Sequence, residues 1–183
     1  MRDKLKQILD VTNQELDSLS TDYAKSYDVE DCFHQPSGRE HYRLLQYISQ
    51  IYGGVLIFDV GTLVCRSAIA LSYNNSVRVR SFDIRQVLPE NVKKDNIEYV
   101  IGDCTLDTDF KNVPFVFLDV AHDGTFEEVF YNHLKKIGWK GVLLLDDINL
   151  NEEMKNFWNS IVEEKHDITY KGHWSGTGVV LFE

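Results

Sequence analysis

Between Val55 and Asp147 the chain carries five short runs rich in apolar residues, and each reaches an Asp at or just beyond its end. The first is Val55-Leu56-Ile57-Phe58-Asp59-Val60; the others lie at 77–84, 97–101, 115–120 and 142–147. Runs of this length and apolarity suit strands buried on both faces of a parallel sheet. Helical stretches at 66–73, 125–137 and 152–164 separate them. That alternation predicts an open α/β sheet with right-handed crossovers. The tail differs, because Ile168-Thr169-Tyr170 and Val179-Val180-Leu181-Phe182 are joined through Gly172-His173-Trp174-Ser175-Gly176. So short a connection permits only an antiparallel pair.

Ahead of the first strand, Leu5, Ile8, Leu9, Leu16 and Leu19 follow near-helical spacing, which predicts one helix over 4–19. A polar stretch, 20–38, reads as a loop ending in Pro36-Ser37-Gly38. Residues 39–52 then place Tyr42, Leu45, Ile48 and Tyr52 on one helical stripe. With 183 residues, the chain is read as one domain: a core over 39–183 and, at 1–38, an N-terminal helix and loop that caps the site.

Composition narrows the partners. There are 19 Lys and Arg against 29 Asp and Glu, a net charge of −10. Affinity for nucleic acid or anionic membrane comes from basic side chains, so neither is expected. Cys32, Cys65 and Cys104 have no paired spacing, which excludes a disulfide framework and a Cys-based zinc site. No signal peptide or membrane span is visible, and a cytoplasmic location is the expectation.

In open α/β sheets ligands bind beyond the carboxyl ends of the strands. Those ends carry Asp59-Val60-Gly61-Thr62, Asp83, Gly102-Asp103, Asp119-Val120-Ala121-His122-Asp123 and Asp146-Asp147. One Asp at a strand end is commonly a cap or turn former, but five together concentrate acid on one rim. The first turn has one Gly where dinucleotide binders carry three, and an acid rim repels a pyrophosphate. Asp83 suits a ribose diol. A ligand with a ribose, no phosphate and a positive charge fits best, and S-adenosylmethionine has all three properties.

The run Phe58-Asp59-Val60-Gly61-Thr62 followed by Ser67-Ala68-Ile69-Ala70-Leu71 resembles the first motif of class I S-adenosylmethionine-dependent methyltransferases. The resemblance covers roughly 38–183 and implies a Rossmann-like, mostly parallel seven-stranded sheet with a C-terminal antiparallel hairpin and helices on both faces. It further implies that Asp59, Gly61 and Thr62 line the methionine end, that Ser67 bonds the carboxylate, and that Asp83 holds the ribose. Asp103 and Cys104 would flank the adenine, and Gly38, Glu40 and Asp119 would also meet the cofactor. The departure is Cys65, where that group carries Gly.

Asp119, Asp146 and Asp147, with His122 three residues after the first acid, are similar to the metal triad of metal-dependent O-methyltransferases. That group includes catechol-type enzymes and those acting on macrolide sugars. Gly38-Arg39-Glu40-His41-Tyr42 and Gly172-His173-Trp174-Ser175-Gly176-Thr177-Gly178 also resemble small methyltransferases of large algal DNA viruses, some of which act on glycans. The implied cation is Mg²⁺ or Ca²⁺, with Mn²⁺ a further candidate. Carboxylates supply the hard oxygen ligands such ions take, and a coordinated hydroxyl becomes more acidic. His122 would then take the proton as general base. Asp123, His173 and Trp174 would meet the acceptor, since a Trp beside a His in a Gly-rich loop suits stacking on a sugar.

Other readings of the same residues stand beside these. His122-Asp123-Gly124 also fits a plain helix-capping turn. Asp146 and Asp147 reach one ion only if the strand has already ended, because adjacent strand residues face opposite sides. His41 and Tyr42 suit a helix surface or the core equally well. The function expected is methylation of a sugar hydroxyl. The alternatives are a catechol-like phenol acceptor and a nucleoside-binding module that transfers nothing. So short a chain leaves little for a lid, and closure would fall to the N-terminal segment or to a partner subunit in a homo-oligomer.

Overall fold

The sheet forms where the apolar runs predict it. In this computed structural model, which describes residues 1–36, 39–85 and 92–183, seven strands lie in the order β3-β2-β1-β4-β5-β7-β6. β1 (Leu56–Val60), β2 (Arg78–Asp83), β3 (Ile97–Ile101), β4 (Phe115–Leu118) and β5 (Gly141–Asp146) run parallel. β7 (Thr177–Phe182) lies antiparallel between β5 and β6 (Glu164–Asp167). Alternation of side chains along the strands feeds two cores. Ile57, Phe115, Phe117 and Leu144 face one core, and Phe58, Val116, Leu118 and Leu145 the other.

Helices cover both faces, as expected. α1 (Arg2–Asp10), α2 (Asn13–Asp17), α3 (Asp22–Lys25), α4 (Arg39–Ile51) and α5 (Arg66–Leu71) pack on the first core. α6 (Thr125–Lys136) and α7 (Glu152–Ser160) close the second. Strand order reverses between β1 and β4, which pair side by side. Their carboxyl ends therefore flank a crevice, the usual ligand position in such sheets.

Three local expectations are corrected. The helix expected over 4–19 is two helices, because Thr12 and Glu15 form a reciprocal capping box that starts α2 and ends α1 at Val11. The loop expected over 20–38 is partly ordered: it holds α3 and a 3₁₀ turn, Glu30–Phe33, whose Phe33 is fully buried. The first hairpin strand lies at Glu164–Asp167 rather than at Ile168–Tyr170, and the helix before it stops at Ser160. β6 is an edge strand with one paired side, so it needs no apolar face. Thr169–Lys171 instead turns inward as a 3₁₀ segment.

That turn has a purpose. Lys171 is 1% exposed, and its ammonium donates to the carbonyls of Leu9 and Val11 at 2.6 Å and of Ile8 at 3.3 Å. Those groups end α1 and have no partner within the helix. Arg43 of α4 does the same for the next segment, donating to Asp17 O at 2.9 Å and Phe33 O at 3.0 Å. Arg43 thus fastens the N-terminal segment to α4, and Lys171 fastens it to the turn between β6 and β7. Lys171→Met keeps the stem but leaves the carbonyls unsatisfied, and should cost about 2–4 kcal/mol in urea unfolding. An unchanged midpoint and slope would refute this role.

Candidate active site

The β1 turn is shaped by close approach of two backbones. Gly61 has φ +103°, and a β-carbon there would stand 1.6 Å from the carbonyl oxygen of Asp119. The Gly61 and Thr62 amides donate to Phe82 O at 2.9 and 3.0 Å, which ties the turn to β2 as well. Cys65 takes a left-handed φ of 61°, so the conformation that Gly adopts freely is held here by a residue with a side chain. Its thiol is buried, and burial pushes it up to about 11, away from the reactive range.

Four of the five non-glycine residues with positive φ among the described residues, Leu63, Cys65, His122 and Asp147, follow β1, β4 or β5. At Asp147 the left-handed turn begins one residue after β5 ends at Asp146. The strand has therefore ended, and both carboxylates reach one cluster. His122 Nε2 lies 3.3 Å from Asp119 Oδ1, and its Nδ1 lies 3.2 Å from Asp147 Oδ2. The His122 amide donates to Glu127 Oε1 at 2.8 Å, and its carbonyl accepts from Asn151 at 2.7 Å. These clamps from the starts of α6 and α7 hold the unusual backbone in place.

His173 comes from the segment before β7. Its Nδ1 lies 3.0 Å from Asp147 Oδ1, the same oxygen that accepts the Ser175 hydroxyl, and 3.5 Å from Asp146 Oδ1. His41, from α4, packs its ring 5.1 Å from Phe117 and 5.5 Å from His173. A cavity of about 230 Å³ opens here, lined by His41, Tyr42, Arg66, Asp119, Asp146 and His173. Cys32 and Gln35 of the N-terminal segment complete part of its wall.

The crowding shifts the charges. Burial, then the charges of Asp146, Asp147 and Asp59, raise Asp119 well above the usual carboxylate range. Burial pushes Asp147 the same way, but hydrogen bonds from His173 and Ser175 outweigh it and hold Asp147 low. For His173, burial is outweighed by Asp146 and Asp147, which push it up to about 10. Burial lowers His41 despite the nearby carboxylates.

The remaining expected residues are less concentrated. Asp59 is buried in β1 and accepts from Ser81 at 2.5 Å, while the side chain of Thr62 bonds the same hydroxyl. Ser67 is buried in the first turn of α5. Asp83 ends β2 and accepts from the amides of Leu63 and Arg85, both at 2.9 Å. Asp103 caps the turn that begins at Cys104, whose thiol is buried with Phe58 and Phe110 in the core behind the rim. Asp123 is exposed and caps the Thr125 amide. Glu40 ion-pairs with Arg39 at 3.4 Å, and Trp174 stands 66% exposed beside His173. Gly38 lies outside the described residues.

The sequence does not single out Arg66 or Ser175, and it leaves His41 open between surface and core. His41 did leave a signal: it lies four residues before Leu45 and seven before Ile48, at the head of the buried stripe of α4.

Several solved structures share this architecture. The SAH-bound methyltransferase PaMTH1 of Podospora anserina matches with a TM-score of 0.60 at 12% identity, over 78% of this chain and 77% of its own. The O-methyltransferase from Bacillus cereus, in complex with SAH, matches with a TM-score of 0.59 at 16% identity, over 98% and 95%. TomG from Streptomyces achromogenes, involved in tomaymycin synthesis and in complex with SAM, gives 0.60 at 15%, over 90% and 91%. The fold is that of S-adenosylmethionine-dependent O-methyltransferases. No protein-family model matches the chain, and no curated protein matches it. At such identities the likeness speaks for the fold, and chemistry must be argued from this chain's own site.

The donors present fit a divalent cation. Ligand atoms of His41, Asp119 and Asp146 lie within 4.8 Å of one another, as do those of Asp146, Asp147 and His173. Among the described residues, the buried His41 Nδ1 and Asp146 Oδ1 have no hydrogen-bond partner.

Asp59 offers a test of the buried charge. Burial raises its carboxyl to about 6, against the lowering effect of Ser81 and Ser67. The folded chain therefore holds this proton more tightly than the unfolded chain, whose Asp titrates near about 3.9. Its contribution to stability is full below about pH 4 and is lost as pH rises through the folded value. Asp59→Asn removes that titration. Its unfolding free energy relative to wild type should climb by about 1.4 kcal/mol per pH unit between about pH 4 and 6, then level off. A difference independent of pH would contradict the assignment.

Proposed function

We propose that this chain is an S-adenosylmethionine-dependent O-methyltransferase that methylates a sugar hydroxyl of a glycan with the help of a divalent cation. The observation that carries the reading is His122, held between Asp119 and Asp147 beside a polar cavity at the switch point of the sheet. A binding module needs no such imidazole.

Bound in the crevice, S-adenosylmethionine supplies a methyl group on a sulfonium, and a cation held by the Asp119, Asp146 and Asp147 cluster would acidify and orient the acceptor hydroxyl. The chain does the rest. Gly61 and Thr62 would meet the methionine end, Ser67 at the start of α5 would bond its carboxylate on turning from Asp59, and Asp83 at the end of β2 would hold the ribose. In transfer the S–CH₃ bond breaks, the O–CH₃ bond forms, and the hydroxyl proton passes to His122 Nε2, which requires Asp119 Oδ1, 3.3 Å away, to release that nitrogen. Asp147, 3.2 Å from Nδ1, offsets the charge of the imidazolium so formed.

A sugar is favoured over a phenol by the cavity wall, where Gln35, Arg66 and Asp119 are polar, and by exposed Trp174, which offers a ring for stacking. Cys32 and Gln35 also support capping of the site by the N-terminal segment.

The experiment is a methyl-transfer assay on a panel of glycans and phenols, with and without chelator, beside calorimetry of S-adenosylhomocysteine binding. His122→Ala should lower kcat by about 10²- to 10⁴-fold and leave the calorimetric affinity intact. Full activity in that variant removes the proposed base, and activity undiminished by thorough chelation removes the metal. Absence of S-adenosylhomocysteine binding would sink the whole reading.

A further inference from the structure

The metal part of the proposed function assumes three carboxylate ligands, and the geometry divides those carboxylates. Asp147 is already committed: Oδ1 accepts from Ser175 and lies 3.0 Å from His173, and Oδ2 lies 3.2 Å from His122. Asp146 is not. Its Oδ1 lies 3.5 Å from both His41 Nδ1 and His173 Nδ1, beyond a sound hydrogen bond. Neither atom has a hydrogen-bond partner among the described residues, although His41 is only 3% and Asp146 6% exposed.

Two polar atoms left unsatisfied at that depth are costly. The side chains cannot easily turn away, since the imidazole is wedged against Phe117, Tyr42 and His173. Both residues line the cavity that Asp119 also lines. Ligand atoms of all three residues fall within 4.8 Å of one another. An ion about 2.0–2.2 Å from each holds opposite ligands about 4.0–4.4 Å apart, so closure of no more than about 0.4–0.8 Å is needed.

We propose that His41, on the helix before the first strand, is a metal ligand together with Asp119 and Asp146, while Asp147 positions His122 and His173. This deepens the metal part of the function proposed above and rests on it. It also changes the expected ion. Mg²⁺ and Ca²⁺ favour oxygen ligands throughout, whereas an imidazole nitrogen suits first-row ions such as Mn²⁺, Co²⁺ or Zn²⁺. The site therefore selects a first-row ion over Mg²⁺. The competing group, Asp146, Asp147 and His173, is weaker because Asp147 and His173 already bond each other.

The test uses the full chain, stripped of metal and titrated with Mn²⁺. Pulsed electron paramagnetic resonance should show ¹⁴N coupling from a bound imidazole. His41→Gln should lose that coupling and weaken Mn²⁺ binding by about tenfold or more. Its Mg²⁺ affinity should change less, and S-adenosylhomocysteine binding by calorimetry should persist. His173→Gln should keep the coupling. An anomalous-scattering map of a Mn²⁺-loaded wild-type crystal, with the ion bonded to His41, gives the same reading without any variant. Bound Mn²⁺ with no ¹⁴N coupling, or coupling that survives in His41→Gln, overturns the proposal but leaves a metal in place. Wild type that binds S-adenosylhomocysteine and no Mn²⁺ overturns both the ligand and the metal, without touching the cofactor reading.

Discussion

The carbonyl of Asp119 occupies the space where a β-carbon on Gly61 would stand, and this contact between two backbones governs the site. It brings the turn after β1 directly against the end of β4, at the point where strand order reverses. Any side chain at position 61 would push the two ends apart. With them would go the hydrogen bond of the Asp119 amide to Val60 O, 2.9 Å long, and the wall of the cavity between α5 and β4. The parallel sheet supplies the crevice; the absent β-carbon sets its width.

Within that crevice the acid excess has a use. Asp119, partly exposed, converges with the buried Asp146 and Asp147, and in water-poor surroundings such charges repel strongly. The chain answers with three imidazoles from three parts of the sequence: His41 from α4, His122 after β4 and His173 before β7. Two of them face carboxylate oxygens on Asp147, and Asp147 is the carboxylate held low. Burial, then Asp146, Asp147 and Asp59, drive Asp119 up although His122 Nε2 lies 3.3 Å away. Asp119 and Asp146, with fewer close polar partners than Asp147, are left as the pair with capacity for a further positive charge.

Most of the sheet was legible because a doubly buried strand announces itself by composition. Ile97–Ile101 matches the expected run at both ends, and β1, β2, β4 and β5 differ by one or two residues. The misplaced element, β6, is an edge strand reading Glu-Lys-His-Asp, where burial leaves no apolar signature. The break between α1 and α2 was written in Thr12-x-x-Glu15, and apolar spacing alone hid it. At the site, the strand-end acids could be read from the chain, but their partners could not. Whether Asp147 joins Asp146 depends on one left-handed residue, and nothing in the neighbouring residue types dictates that φ. His41 suits a helix surface or the core equally well by its spacing, and only the fold shows which atoms it meets.

The N-terminal segment ties the cavity to the stability of the whole chain. Its 3₁₀ turn supplies Cys32 and the residues just beyond supply Gln35, yet its helices are too short to persist alone. They are held by Arg43 and Lys171, which spend buried positive charge on main-chain carbonyls rather than on carboxylates. Lys171 sits two residues before His173, on the turn that aims the His173–Ser175 loop at Asp147. The same 3₁₀ turn therefore anchors α1 on one side and positions an imidazole on the other. Loosening α1 would reach the carboxylate cluster through two residues of chain, which makes this short segment a wall of the site as well as an attachment to the core.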